Sequence, residues 1–416
     1  MYNRIVDYRW SFRDANTKEY THCYHIYPAM MIPQVARSLM EEYKPEGRFE
    51  LLLDPYMGSG TSLVEASILG VNSIGTDLNP LARLMAKVKT THYDITEIKK
   101  VFSIIQSELV FYSDDKVNSC NFEHISNYLY WYTEESLIKL SYLSQLIEKH
   151  ALCADFFKVA LSEVVREVSF TRNSEFKRYR MPEEKIKSFN PDVFRLFEEK
   201  ITRNICGLEE YNSVQSTAVS RICDFNSSNG IPVDILPDGS VDMVVTSPPY
   251  GDSRTTVAYG QFSRWANEWF GHENAQKLDS ILMGGGKSDT ELFVTNSIQK
   301  ELNDIRNLDV KRYYDVVSFL NDYWLSIQNV ARTVRVGGVV CYVVGNRTVK
   351  GIQIPLDYFT AEMFEKCGFE HKTTIVREIP NKRMPAKTSP SNKSGDNVDT
   401  MSNEYIVIMT KRTLLK

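Results

Sequence analysis

Short apolar runs alternate along this chain with segments whose apolar residues recur at helical spacing. "RFELLLDP" predicts a strand ending at Asp54, followed by a helix in "GSGTSLVEASILG" that stops at Gly70. "NSIGTD" predicts a second strand, ending at Asp77, and "NPLARLMAKVK" a second helix with Pro80 in its first turn. Further strands are expected at "SRICD" (to Asp224), "VDMVVT" (to Thr246), "GVVCYVVG", "HKTTIVREI" and "EYIVIMT". Helices are expected at "VVSFLNDYWLSIQNVARTV" and "LDYFTAEMFEKCG". This alternation implies an α/β fold with a mostly parallel, seven-stranded sheet, whose strands present Asp54, Asp77, Asp224 and Thr246 at their carboxyl ends.

Two stretches break the rhythm. Residues 93–215 are helical and aromatic-rich, and residues 253–315 separate "TSPPY" from the next core helix. Both are expected to be insertions. The core is thus divided into 1–92, 216–252 and 316–416, and "KTSPSNKSGDNVDTMSN" near the end reads as a polar loop.

Composition narrows the class. With 416 residues, 43% apolar and 25% charged, the chain can bury a large core. No apolar run approaches the roughly 18 residues of a membrane span, and "MYNRIVDYRW" lacks a signal pattern, so a cytoplasmic protein is expected. Seven Cys without a CxxC pair argue against a disulfide framework or zinc ribbon, and the scattered histidines suggest no metal site. Lys and Arg number 49 against 53 Asp and Glu, so any nucleic-acid contact must rest on local basic clusters.

"DPYMGSGT", Asp54 to Thr61, is a Gly-rich turn into a helix, and it lacks the Gly-Lys-Ser/Thr of a Walker loop. By itself it is either a nucleotide site or a plain strand-to-helix turn. Asp77, at the end of the next strand, stands where an acidic residue accepts ribose hydroxyls in such folds. Asp224 and Phe225 offer an adenine an acceptor and a ring. In "TSPPY", Pro248 and Pro249 stop sheet pairing and stiffen the chain. Ser247 Oγ and the Pro248 carbonyl then form two acceptors suited to an exocyclic amine, with Tyr250 as a face on which a flipped-out base can stack.

"DPYMGSGT…GTDLNPLA" followed by "TSPPY" resembles the S-adenosylmethionine-dependent DNA amino-methyltransferases of bacterial modification systems, and Ser-Pro-Pro-Tyr is similar to their cytosine-N4 branch. "THCYHIYPAMMIPQVARSLMEEY" and "NKRMPAKTSPSN…TMSNEYIVIMTK" resemble the family's N-terminal and C-terminal segments. The resemblance implies a Rossmann-like class I methyltransferase fold, S-adenosylmethionine as cofactor, double-stranded DNA as substrate and a cognate restriction endonuclease as possible partner. It implies that Asp54, Pro55, Gly58 and Gly60 line the methionine and ribose side, with Thr61 at the carboxylate and Thr246 beside them. Asp77 would hold the ribose, Leu78, Asp224 and Phe225 the adenine, and Tyr27 and Pro28 would close over the cofactor. Ser247, Pro248, Pro249 and Tyr250 would carry catalysis by direct transfer, with Asp252 as a proton exit. Tyr56 replaces the family's usual Phe, and the cofactor motif precedes the catalytic one.

Two basic clusters are candidates either for DNA phosphates or for solvated faces: Arg172, Lys177, Arg178 and Arg180, and, in the late loop, Lys382, Arg383, Lys387 and Lys393. Gln261 and Arg264 are candidates for supporting the flipped base, and "MGGGKSD" reads as a flexible loop. Adenine-N6 DNA methylation, RNA guanine-N2 methylation and a non-catalytic DNA-binding subunit remain the alternatives.

Overall fold

Period-two alternation in the strands feeds apolar side chains to two sides of one sheet. The computed structural model describes residues 2–113, 122–150, 152–172, 176–252, 257–379, 387–388, 398–399 and 403–413. The sheet strands are β1 (Arg4–Val6), β2 (Leu51–Asp54), β3 (Asn72–Thr76), β4 (Ser220–Cys223), β5 (Val241–Thr246), β6 (Val334–Val344), β7 (Phe369–Glu378) and β8 (Asn403–Lys411). They lie in the order β1-β7-β8-β6-β5-β2-β3-β4, and β8 alone among them runs antiparallel to both neighbours. The expected seven strands are thus joined by an eighth. Arg4–Val6 pairs in parallel with β7 at the edge, and it is too short and too exposed to show a buried face in the sequence.

Leu53, Val241, Val244, Val340 and Tyr342 point to one core. They meet the helices α9 (Val310–Thr333) and α10 (Leu356–Lys366), which carry Val317, Tyr323, Phe359 and Phe364 into it. Leu52, Met243, Val245, Cys341 and Val343 point the other way, against Val35, Ala36, Leu39 and Met40 of α1 (Pro33–Glu42). Burial on both faces explains why the central strands read as unbroken apolar runs.

Residues between β3 and β4 form α4 (Ile95–Val110), α5 (Glu134–Glu148), α6 (Ala154–Glu167) and α7 (Val193–Ser213), with two shorter helices among them. They build a third core on Leu81, Met85 and Val88 of α3 (Pro80–Lys89). Phe262 and Trp265 of α8 (Tyr259–Trp269) enter the same core, so the start of the second non-rhythmic stretch packs with the first. Its later part does not: Met283, Phe293, Ile298 and Leu302 join the α9 side of the sheet.

The turn from β2 into α2 (Thr61–Ile68) lies directly against α3. Gly60 caps α2 at φ +82°, and a Cβ there would stand 2.8 Å from Ala86 Cβ and 2.9 Å from Ala86 Cα. The left-handed backbone and the close helix both require glycine. Gly60→Ala is therefore expected to cost about 2–4 kcal/mol of stability, from strain and overpacking together. Urea unfolding measures this, and a midpoint unchanged from the parent would contradict the packing argument.

Candidate active site

Strand order reverses between β2 and β5, and a cavity opens there at the strands' carboxyl ends. Such a switch point is where open α/β sheets bind ligands. Of the residues expected from the sequence, Tyr27, Pro28, Asp54, Pro55, Gly58, Thr61, Asp77, Leu78, Phe225, Ser247 and Pro249 line it. Gly60, Asp224, Thr246, Pro248 and Tyr250 do not line it.

Asp54 is buried, and its Oδ1 accepts from Thr246 Oγ1 at 2.5 Å and from the Tyr56 amide at 3.1 Å. Thr246 therefore acts behind the cavity wall, joining β5 to β2. Burial pushes the Asp54 carboxyl up to about 6, against the Thr246 hydroxyl and the Tyr56 amide, which favour its charged form. Asp77 accepts from the Gly58 amide at 3.1 Å and from the Asn79 amide at 2.7 Å. Burial pushes this carboxyl up to about 6 as well, against those two amides and the nearby Arg83. A carboxylate has about four acceptor positions, so Asp77 keeps two for a ligand.

Ser59, missed by the sequence reading, contributes a buried hydroxyl with no hydrogen-bond partner among the described residues, on the cavity wall just ahead of α2. A polar ligand group at this helix start would satisfy it. Tyr27 is buried over the turn, with its hydroxyl accepting from Asn79 Nδ2 at 2.9 Å and its ring stacked on Tyr259 at 5.8 Å. Asp224 is exposed where β4 ends, whereas Phe225 and Asn226 turn inward. The expected acidic contact to an adenine thus falls outside the cavity, and Asn226 is the polar side chain of that loop within it. Met30, Met31, Leu282 and Met283 complete the apolar wall. Met283 opens the segment read as a flexible loop and Leu282 directly precedes it, and only proximity in the fold reveals them.

Ser247 Oγ lies 3.2 Å from the Tyr250 hydroxyl, which donates to Glu404 Oε1 at 3.0 Å. Asp252, the expected proton exit, is buried and paired with Arg347 at 3.0 Å. The basic candidates divide. The Arg178 guanidinium lies over the Trp131 and Trp265 rings, at 5.4 and 4.6 Å, and its backbone amide donates to Gln261 Oε1 at 3.4 Å. Burial and Arg264 lower its pKa to about 10. Arg180 pairs with Glu183 and covers Tyr130, and Arg264 pairs with Glu268 at 2.7 Å. Arg172 is exposed and Lys177 half-buried. Lys382, Arg383 and Lys393 lie outside the described residues, and only the backbone of Lys387 is described. Among the described residues no group of three His, Cys, Asp or Glu side chains is arranged for a metal, and no helix is long and apolar enough to cross a membrane.

No protein-family model matches the chain. It is 38% identical over 425 residues to the Type II methyltransferase M.MvaI of Kocuria varians, covering 96% of this chain and 92% of that protein. It is 22% identical to the Type II methyltransferase M.BsoBI of Geobacillus stearothermophilus, covering 88% and 81%. Among solved structures, the rRNA methyltransferase aviRa of Streptomyces viridochromogenes aligns over 93% of this chain and 88% of its own, at 9% identity and a TM-score of 0.35. A TehB-like SAM-dependent methyltransferase of Corynebacterium glutamicum aligns over 91% and 87%, at 10% identity and a TM-score of 0.29.

The raised Asp54 carboxyl gives a pH signature. A folded-state pKa above the unfolded value means that its stabilising contribution is present below about pH 4 and lost as pH rises through about 6. Asp54→Asn lacks this loss, so its unfolding free energy should gain on the wild type by about 2–3 kcal/mol between pH 4 and pH 7. Urea denaturation across that range tests it, and parallel curves would contradict the burial argument.

Proposed function

The chain belongs to the Type II DNA methyltransferases, and we propose that it transfers a methyl group from S-adenosylmethionine to the exocyclic N4 amine of a cytosine flipped out of duplex DNA. The observation that carries this reading is Ser247. Its neutral hydroxyl, the feature that makes the motif similar to the cytosine-N4 branch, lines the same cavity as Asp77 and the Gly-rich turn.

The residues present fit the cofactor. Asp77 has two acceptor positions left for the two ribose hydroxyls, while Leu78 and Phe225 flank the space for an adenine and Asn226 offers it a polar edge. The unpartnered Ser59 hydroxyl and Thr61, at the start of α2, suit the methionine carboxylate, and Tyr27 with Pro28 covers the turn. Bound there, S-adenosylmethionine supplies a methyl group already activated by its sulfonium, so no protein nucleophile is needed.

The chain's own task is to orient the amine and to exclude water. Ser247 Oγ and the Pro248 carbonyl accept the two amine hydrogens, turning the nitrogen lone pair out of conjugation with the ring. Pro248 and Pro249 fix that loop in advance, which lowers the entropic cost of alignment. The same acceptors stabilise positive charge as it develops on the nitrogen. DNA phosphates are met by cations such as Arg172, Lys382 and Arg383, while Gln261 and Arg264 brace the flipped base from α8. The enzyme would act in the cytoplasm as the protective half of a restriction-modification pair.

Two outcomes follow. Asp77→Ala should weaken S-adenosylmethionine binding by about 1.5–3 kcal/mol, the usual worth of hydrogen bonds to a charged group. Calorimetry reads this, and unchanged affinity would remove Asp77 from the site. Mass spectrometry of DNA digested after reaction should show N4-methylcytosine. N6-methyladenine as the sole modified nucleoside would refute the cytosine assignment while leaving the amine geometry intact.

A further inference from the structure

Glu404 opens the "EYIVIMT" strand, where the sequence assigns it no role, yet it lies two hydrogen bonds from Ser247. The directions of these bonds are determined. Arg377 Nη1 donates to Glu404 Oε2 at 2.5 Å, and Arg377 Nε donates to the Trp10 carbonyl at 2.8 Å. An ionised carboxylate only accepts, so the Tyr250 hydroxyl must spend its single hydrogen on Glu404 Oε1, at 3.0 Å. At the 3.2 Å contact between Ser247 Oγ and the Tyr250 hydroxyl, Ser247 is then the donor. Its hydrogen points away from the cavity, and its lone pairs remain for a substrate hydrogen.

Resting on the amine-methylation reading above, we infer that Glu404 is the terminal base of a proton relay running from the target amine through Ser247 and Tyr250. The nitrogen lone pair forms the new N–C bond while the S–C bonding pair returns to sulfur. The cationic amine gives one proton to Ser247 Oγ, Ser247 passes its own to the Tyr250 oxygen, and Tyr250 passes its own to Glu404. Serine and tyrosine end neutral, with their hydrogen bonds reversed, and Glu404 carries the proton. The Glu404 side chain is 17% exposed, so the proton has a route to solvent. Arg377, with its side chain 2% exposed, anchors the carboxylate from behind as a positioning residue. The relay also answers a chemical need: a serine hydroxyl has no negative charge with which to stabilise the cationic nitrogen, and a carboxylate linked to it by two hydrogen bonds supplies one.

The test uses the full-length protein with S-adenosylmethionine and duplex DNA carrying its target site. In single-turnover reactions, E404Q and E404A should lower the methyl-transfer rate at least tenfold, while affinities for cofactor and DNA stay within about twofold, as expected for loss of a general base. Formate should restore part of the E404A rate, because Arg377 remains to hold a small carboxylate where Glu404 stood. Y250F keeps the ring but breaks the chain, so it should be slow and formate should not help it. Without cofactor or DNA, the Tyr250 Cζ resonance, assigned by its loss in Y250F, should shift in E404Q. E404A turning over at the wild-type rate, a slow E404A that formate does not restore, or an unmoved Tyr250 resonance would each overturn the relay. A wild-type enzyme that forms no methylated amine in any DNA would overturn the underlying reading and the relay with it; an active wild type with unaffected Glu404 variants would overturn the relay alone.

Discussion

A 2.5 Å hydrogen bond from Thr246 Oγ1 to Asp54 Oδ1 joins the last residues of β5 and β2, the two strands between which the sheet reverses its order. Both groups are buried, so neither can go unpaired without a desolvation cost of about 1–3 kcal/mol. The next residue after Asp54 begins the Gly-rich turn, and the next after Thr246 is Ser247. The bond thus fixes the distance between the two halves of the site from below. At the other end of β5, buried Asp242 accepts from Arg48, Arg335 and the amides of Glu50 and Leu51, at 2.7–2.9 Å. Burial opposes its charge, but those four donors outweigh burial and hold its carboxyl below the ordinary range. Strand β5 is pinned at both ends, and the proline-stiffened loop inherits that rigidity.

What the sequence made legible follows from how locally each feature is encoded. Strands buried on both faces and glycines demanded by tight turns announce themselves in short windows, which is why β2 to β8, Gly58, Gly60, Asp77 and Ser247 could be named from the sequence. Asp224 shows the limit: it closes its strand as Asp77 closes β3, but it is exposed, and Asn226 two residues later lies in the cavity. Only the path of the chain after the strand distinguishes them. Glu404 lies 154 residues from Tyr250, in a strand added at the end of the fold, and no spacing rule connects the two. The edge strand Arg4–Val6 was invisible for the opposite reason, since three residues, none of them buried, carry no periodicity.

Charge runs were the least informative signal. "SFTRNSEFKRYRM" invites a nucleic-acid reading, but Arg178 lies against two tryptophans and Arg180 pairs with Glu183. Desolvation next to Arg264 lowers the Arg178 pKa, which marks a guanidinium held in the aromatic core and away from bulk water. Arg166, buried nearby, donates to the Phe262 carbonyl at 3.2 Å and lies 4.6 Å from that ring. These cations knit the helical insertion to α8, whose first residue, Tyr259, walls the cavity. A basic cluster in this region therefore serves the placement of α8 before any cation in it is free to meet phosphate.

The segment expected to be a flexible loop packs closely against the site. Met283 walls the cavity, and Gly284, at φ +71°, presses on the end of the Pro-Pro loop and on α9: a Cβ there would stand 2.9 Å from Asp252 Cβ and 3.0 Å from Phe319 Cβ. The Gly284 amide is tied to Asp322 at 2.8 Å, and Asp252 is tied to Arg347. Asp252 is therefore enclosed by Gly284 and Arg347, a setting that suits a structural brace better than a group releasing protons to water. With Asp252 so committed, Ser247 has a path for protons in the other direction, through Tyr250 to the partly exposed Glu404. Two acidic residues thus flank the same short loop, one holding it in place and the other opening it to solvent.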